Sequence, residues 1–91
     1  MKYKVKLHQM AVKFLKDLDE RVRDRIKRSI RQLQEYPISS RPGADIKRLV
    51  GTKVRQDLFR LRVGDFRVIY AVEGDAVWVT EIFSRGKGGR K

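Results

Sequence analysis

The hydrophobic period of this chain begins at two, lengthens to that of a helix, and returns to two. Lys2 to Leu7 alternate strictly, with Tyr3, Val5 and Leu7 on one face and Lys2, Lys4 and Lys6 on the other, the pattern of a half-buried strand. From Met10 onward Ala11, Phe14, Leu15 and Leu18 recur at helical spacing and form one stripe. The segment LDERV interrupts that stripe. Asp19 is placed there to cap a second helix, because its carboxylate can accept from the free N–H groups of a first turn. Val22, Ile26, Ile30 and Leu33 fall on one side of this helix, and its other faces are densely basic. Pro37 ends it, and YPISSRPGAD, residues 36–45, has the composition of a loop.

The second half returns to strands. IKRLVG, from Ile46 to Gly51, reads as a short strand and TKVRQD as a basic turn carrying Lys53 and Arg55. The alternation then runs from Leu58 through Val63, from Phe66 to Val72, and from Val77 to Phe83 after EGDA. A strand, two helices and a run of strands predict an α+β, two-layer fold. In it an N-terminal strand and α-helical hairpin pack on one face of a C-terminal antiparallel β-sheet whose other face is open to water. No internal repeat is visible, and 91 residues suit one domain spanning 1–91. Its end, SRGKGGRK over residues 84–91, is basic and glycine-rich and is expected to be mobile until it meets a polyanion.

The Gly64-Asp65 break inside FRLRVGDFRVIY suits a two-residue type II′ hairpin turn, glycine supplying the positive φ. In that register Val63 faces Phe66, Arg62 faces Arg67, Leu61 faces Val68 and Arg60 faces Ile69. Arg60, Arg62 and Arg67 then emerge on one side, with Phe59, Leu61, Phe66, Val68 and Tyr70 beneath on the helix side. Opposed like charges destabilise a strand pair by up to roughly 1 kcal/mol. Alternating charge on a solvent face is ordinary, but these residues are all arginine, whose planar guanidinium grips phosphate in bidentate fashion. An aromatic in a strand is most often packing, so Trp78 is assigned to packing, with base stacking the lesser alternative. Glu81 depends on the preceding loop: a three-residue EGD loop sets it opposite Arg67, and a two- or four-residue loop turns it to the other face.

Charge names the partner. The chain carries 23 Lys+Arg against 11 Asp+Glu, a formal net charge of +12, well beyond what solubility requires. Nucleic acid leads as the partner, an acidic protein follows, and an anionic membrane comes last, since no helix joins a basic face to an exposed apolar one rich in Trp or Phe. With no cysteine and a single histidine, His8, neither a disulfide framework nor a zinc site is expected. No apolar run reaches the length of a membrane span and MKYKVKLHQM lacks a signal-peptide core, so a soluble, cytoplasmic protein is expected.

The order strand, helical hairpin, KRLVGTKVRQDLFRLRVGDFRVIYAV and VWVTEIFSRGK resembles the RelE/ParE toxin superfamily over nearly the whole chain, closest to its archaeal RelE-type members. LFRLRVGDFRVIY is the most specific part of the match. RelE-type members are toxins that cut mRNA in the ribosomal A site and are silenced by an antitoxin. The resemblance implies a metal-independent endoribonuclease with no cofactor. Arg60 and Arg62 fall on the family's first two basic active-site positions, Arg67 on the arginine after the turn, and Arg85 on the arginine after the last strand. Lys53, Arg55, Lys87 and Arg90 are expected to bind RNA beside them. Many RelE enzymes carry a tyrosine a few residues beyond the last arginine; this chain reads GKGGRK there.

Metal-free RNA cleavage drives the ribose 2′-OH onto the adjacent phosphorus and needs a proton acceptor, a proton donor and cations around the phosphorane. Arginine meets the last need and not the first, because a guanidinium with a pKa above about 12 keeps its proton. His8 reads as a surface residue or helix start rather than a base, Glu81 as structural, and Lys87 or Lys53 as bases that RNA or ribosome would have to place. The base is unassigned. A ParE-like inhibitor of DNA gyrase and a non-catalytic basic RNA-binding module are the alternatives. The expected partners are the ribosome with its mRNA and an acidic, partly disordered RelB-like antitoxin. That antitoxin would fold on binding, covering the sheet or displacing the C-terminal segment.

Overall fold

A computed structural model describes residues 2–38, 45–49 and 57–84, with Asp57 described by its backbone. The elements are β1 (Lys4–Leu7), α1 (Gln9–Lys16), α2 (Glu20–Arg31) with a 3-10 turn over Gln32–Gln34, β2 (Asp45–Leu49), β3 (Asp57–Val63), β4 (Phe66–Glu73) and β5 (Ala76–Ser84). Both helices begin at side-chain caps. The Asp19 carboxylate accepts from the Arg21 N–H at 3.1 Å, and His8 starts α1 by accepting the Met10 N–H on Nδ1, also at 3.1 Å. These bonds satisfy donors that a first helical turn leaves without a partner.

The five strands form one sheet in the order β1-β5-β4-β3-β2. The fold is the α+β class expected, with one addition: β1 pairs with β5 in parallel, so the sheet is mixed rather than purely antiparallel. A strand that leads into a helical hairpin can cross over and return beside a distant strand, which a short turn cannot arrange. The His8 N–H donating to the Val79 carbonyl and the Lys4 N–H donating to the Asp75 carbonyl, each at 2.8 Å, tie β1 to β5.

The helices cover one face. Ala11 and Leu15 of α1, Ile26 and Ile30 of α2, and Leu33 meet Ile46, Phe59, Leu61, Val63, Val68, Tyr70, Val77, Val79 and Ile82 from the sheet. Phe59 and Tyr70, paired across β3 and β4, stack with ring centroids 5.6 Å apart. Phe14 meets the Phe66 ring edge-on at 6.1 Å, so aromatic packing joins α1 to the hairpin. Tyr70, wholly buried, donates its hydroxyl to the Pro37 carbonyl at 2.6 Å. That bond pins the segment after the helices against the centre of the sheet.

Candidate nucleic-acid interface

The β3–β4 hairpin has the expected register: Val63 pairs with Phe66, Arg62 with Arg67, Leu61 with Val68 and Arg60 with Ile69. Gly64 opens its turn at φ +59°, and no residue other than glycine has a positive φ among the described residues. This is the type II′ geometry, which a side chain at Gly64 would strain. The Arg25 guanidinium from α2 also lies against the turn, 3.1 Å from where a Cβ on Gly64 would sit.

Arg60, Arg62 and Arg67 therefore share the sheet face turned away from the helices. Their surroundings differ from a simple water-exposed row. Arg67, on the central strand, is only 8% exposed, and Ala71 beyond it on the same face only 2%. The outer face is thus not uniformly open to water as expected: β4 has Arg62 on one flank and Phe83 on the other, and long side chains on both neighbours shelter the middle strand.

Asp45 is the residue that strand patterning left out. It opens β2 opposite Arg62, and its carboxylate lies 3.3 Å from the Arg60 guanidinium and 3.9 Å from that of Arg62. One carboxylate thus offsets part of the like-charge repulsion and fixes the two guanidiniums side by side. It stands at the end of a segment, residues 36–45, that has the composition of a loop, so nothing local marks it as a strand residue or names the strand it faces. Arg60 Nε is buried with no hydrogen-bond partner among the described residues.

Glu81 arrives on this face by a route that loop length alone does not give. The loop after β4 is two residues, Gly74-Asp75, with Glu73 opposite Ala76 and Gly74 at φ +61°. That loop by itself would turn Glu81 toward the helices. A bulge intervenes: Tyr70 pairs with Val79 but Ile69 pairs with Glu81, leaving Thr80 as the extra residue. The Thr80 hydroxyl donates to the Ile69 carbonyl at 3.3 Å. An extra residue reverses the parity of everything after it, so Glu81 and Phe83 join the arginine side while Ile82 returns to the core. Phe83, not Glu81, stands opposite Arg67.

Trp78 also differs from its assignment to packing. It pairs with Ala71 on the outer face, is 39% exposed, and carries the Lys6 ammonium 5.2 Å from its ring centroid. Tyr70, by contrast, is core as expected: its hydroxyl is committed to the Pro37 carbonyl on the helix side, away from the arginines, and burial holds its phenol well above the ordinary value of 10.0. His8 is a helix start as expected. Arg85, Lys87, Arg90, Lys53 and Arg55 lie outside the described residues. Among the described residues, no group of three or more His, Cys, Asp or Glu is arranged to hold a metal ion, and no helix is long and apolar enough to cross a membrane.

Comparison with known proteins places this architecture. Residues 5–88 match the family described as the ParE toxin of the type II toxin–antitoxin system parDE. The RelE1 toxin of Methanocaldococcus jannaschii is 36% identical over 92 aligned positions, covering 100% of this chain and 98% of that protein. The crystal structure of the archaeal RelE–RelB complex from Pyrococcus horikoshii superposes with a TM-score of 0.80 at 34% identity, covering 96% of this chain and 99% of that one. A chain of the chromosomal ParDE system from Pseudomonas aeruginosa has a TM-score of 0.65 at 14% identity, covering 92% of this chain and 97% of that one, a likeness of fold alone. Two helices on a five-stranded mixed sheet, matched in sequence over almost its whole length, make this chain a member of the ParE toxin family of type II toxin–antitoxin systems, within the RelE/ParE superfamily.

Proposed function

We propose that this toxin is a ribosome-dependent endoribonuclease that cleaves mRNA in the A site, without a metal, by attack of a ribose 2′-OH on the adjacent phosphorus. The observation that carries the reading is the cross-strand pair Arg62–Arg67 with Arg60 beside it, three guanidiniums on one sheet face with Arg67 largely dry. The attack makes a 2′,3′-cyclic phosphate and expels the 5′-oxygen of the next nucleotide, which leaves as a 5′-OH once protonated. Negative charge builds on the non-bridging oxygens as the phosphorane forms. Guanidiniums fixed in a poorly hydrated setting stabilise that charge, and losing one such donor typically costs a factor of about 10²–10³ in rate. Asp45 lies within ion-pair distance of both Arg60 and Arg62, drawing the two guanidiniums to one place while competing with an incoming phosphate for them.

Arg85 completes the proposed catalytic set, with Lys53, Arg55, Lys87 and Arg90 along the RNA. None of the three hairpin arginines is a suitable proton acceptor, so much of the acceleration in this reading comes from holding the mRNA for in-line attack. That dependence on an ordered substrate is why the ribosome enters the proposal. The Pyrococcus horikoshii relative crystallised with RelB supports an antitoxin partner, proposed here as an acidic chain attracted by the +12 charge, and a cytoplasmic site of action accords with a ribosomal target.

The test is mRNA on programmed ribosomes. New 5′-OH ends should appear with the native chain and fall by about a hundredfold or more in Arg62→Ala and Arg67→Ala. Arg62 is half exposed, so its variant removes a guanidinium without opening the core. The parDE description of the matched family favours a second reading, a gyrase inhibitor. Intact mRNA together with trapped gyrase–DNA cleavage complexes would establish that one instead, and salt-sensitive RNA binding without cleavage would leave a binding module.

A further inference from the structure

Away from the arginines, the outer sheet face carries a second constellation. Trp78 of β5 stands between Ala71 of β4 and Lys6 of β1, its register partners. Ala71 is too small to wall off the indole, which is 39% exposed although it lies on an interior strand of the sheet. The neighbour on the other side is Lys6, whose ammonium lies 5.2 Å from the ring centroid, and Lys4 occupies the same face of β1 two residues back. A large aromatic surface flanked by edge-strand lysines is what stacking proteins present to single-stranded nucleic acid: the ring takes a base, the ammonium groups take its phosphates.

We infer that Trp78, with Lys6 and Lys4, is a base-stacking platform for single-stranded RNA, distinct from the arginine cluster on the same face. The inference rests on the proposed reading of this face as an RNA surface. Arg67 and Ala71 are four residues apart on β4, a span of about 13 Å at strand rise, so a chain gripped at the arginines reaches Trp78 within a few nucleotides. Lys6 covers the ring only through an exposed cation–π contact, weaker than base stacking, and its flexible stem lets the ammonium move from ring to phosphate as a base arrives. Besides Asp45 at Arg60 and Arg62, two carboxylates of the described residues lie on this face. Glu81 lies between Trp78 and Phe83 along β5, and Glu73 lies at the end nearest Lys4. A carboxylate only accepts hydrogen bonds, so Glu81 suits base amino groups, and the phosphates of the bound chain follow the lysines and arginines.

Trp78 is the single tryptophan of the chain, which makes its fluorescence a direct probe. The titrant is a 2′-O-methyl oligoribonucleotide, which offers no 2′-hydroxyl to a cleavage reaction, so binding is read independently of catalysis. Saturable quenching is expected with the native chain. An abasic residue moved along the oligonucleotide should abolish the quench at one position and weaken binding there by about tenfold. By fluorescence anisotropy of a labelled oligonucleotide, Trp78→Ala should lose the same factor and Trp78→Phe should retain most of the affinity. Absence of quenching, equal binding of every abasic oligonucleotide, or quenching by an acidic peptide but not by RNA would overturn the platform. If mRNA cleavage is absent while the quench persists, only the catalytic reading fails; if cleavage proceeds without the quench, only the platform does.

Discussion

Tyr70 shows how one side chain can be informative by being excluded from the chemistry. Its ring stacks on Phe59, its hydroxyl reaches the Pro37 carbonyl, and burial raises its pKa. The folded chain therefore keeps the phenol protonated where the unfolded chain ionises it. Its contribution to stability is complete below about pH 10 and declines as pH rises beyond that, by up to about 1.4 kcal/mol per unit. Tyr70→Phe should cost about 1–3 kcal/mol at neutral pH, because the Pro37 carbonyl loses its donor in a buried place. It should also flatten the alkaline limb of the stability curve. Urea melts of both proteins from pH 7 to 11 measure this, and parallel curves would show that the phenol does not govern alkaline stability. The sequence disclosed half of this: parity with Phe66 and Val68 made Tyr70 core, but the Pro37 bond joins residues 33 positions apart and has no local signal.

Among elements, β2 and β5 decide the character of the arginine face. β2 brings Asp45 to Arg60 and Arg62, and the β5 bulge brings Glu81 and Phe83 to the same side. Asp45 is half exposed, so its ion pairs are screened by water and contribute at most about 1 kcal/mol. Asp45→Ala should lower stability by no more than that while raising affinity for single-stranded RNA at low salt, since two guanidiniums lose a competing anion. Denaturant melts and binding isotherms on the same variant separate the two effects; unchanged affinity would mean that Arg60 and Arg62 do not meet the RNA. The hairpin between β3 and β4 needed no such help to be read, because a two-residue turn settles its register within a dozen residues. The bulge was beyond reach, because nothing in VWVTEIFS distinguishes a strand with an extra residue from one without.

At the scale of the molecule, a +12 charge on 91 residues makes RNA binding a matter of counterion release. Affinity should fall steeply with salt, and each arginine that neutralises a phosphate should contribute about 0.7 to the slope of log K against log salt for a single strand. Arg62→Ala should reduce the slope by that amount, whereas Trp78→Ala should weaken binding at every salt concentration and leave the slope nearly unchanged. Isotherms at several salt concentrations would decide it, and equal slopes for all three proteins would place the phosphate contacts away from the hairpin. By itself the sequence determined the periodic elements, the capped start at Asp19, the β3–β4 register and the common side of Arg60, Arg62 and Arg67, because each depends on neighbours a few residues away. Only the tertiary structure decided that β1 lies parallel to β5, that Asp45 meets the arginines, that Thr80 turns Glu81 outward, and that Trp78 is exposed beside Lys6. Each of these is a pairing, or a break in one, between strands, and the energy that selects a strand's partner and fixes its register comes from the packed core as a whole rather than from the residues of either strand.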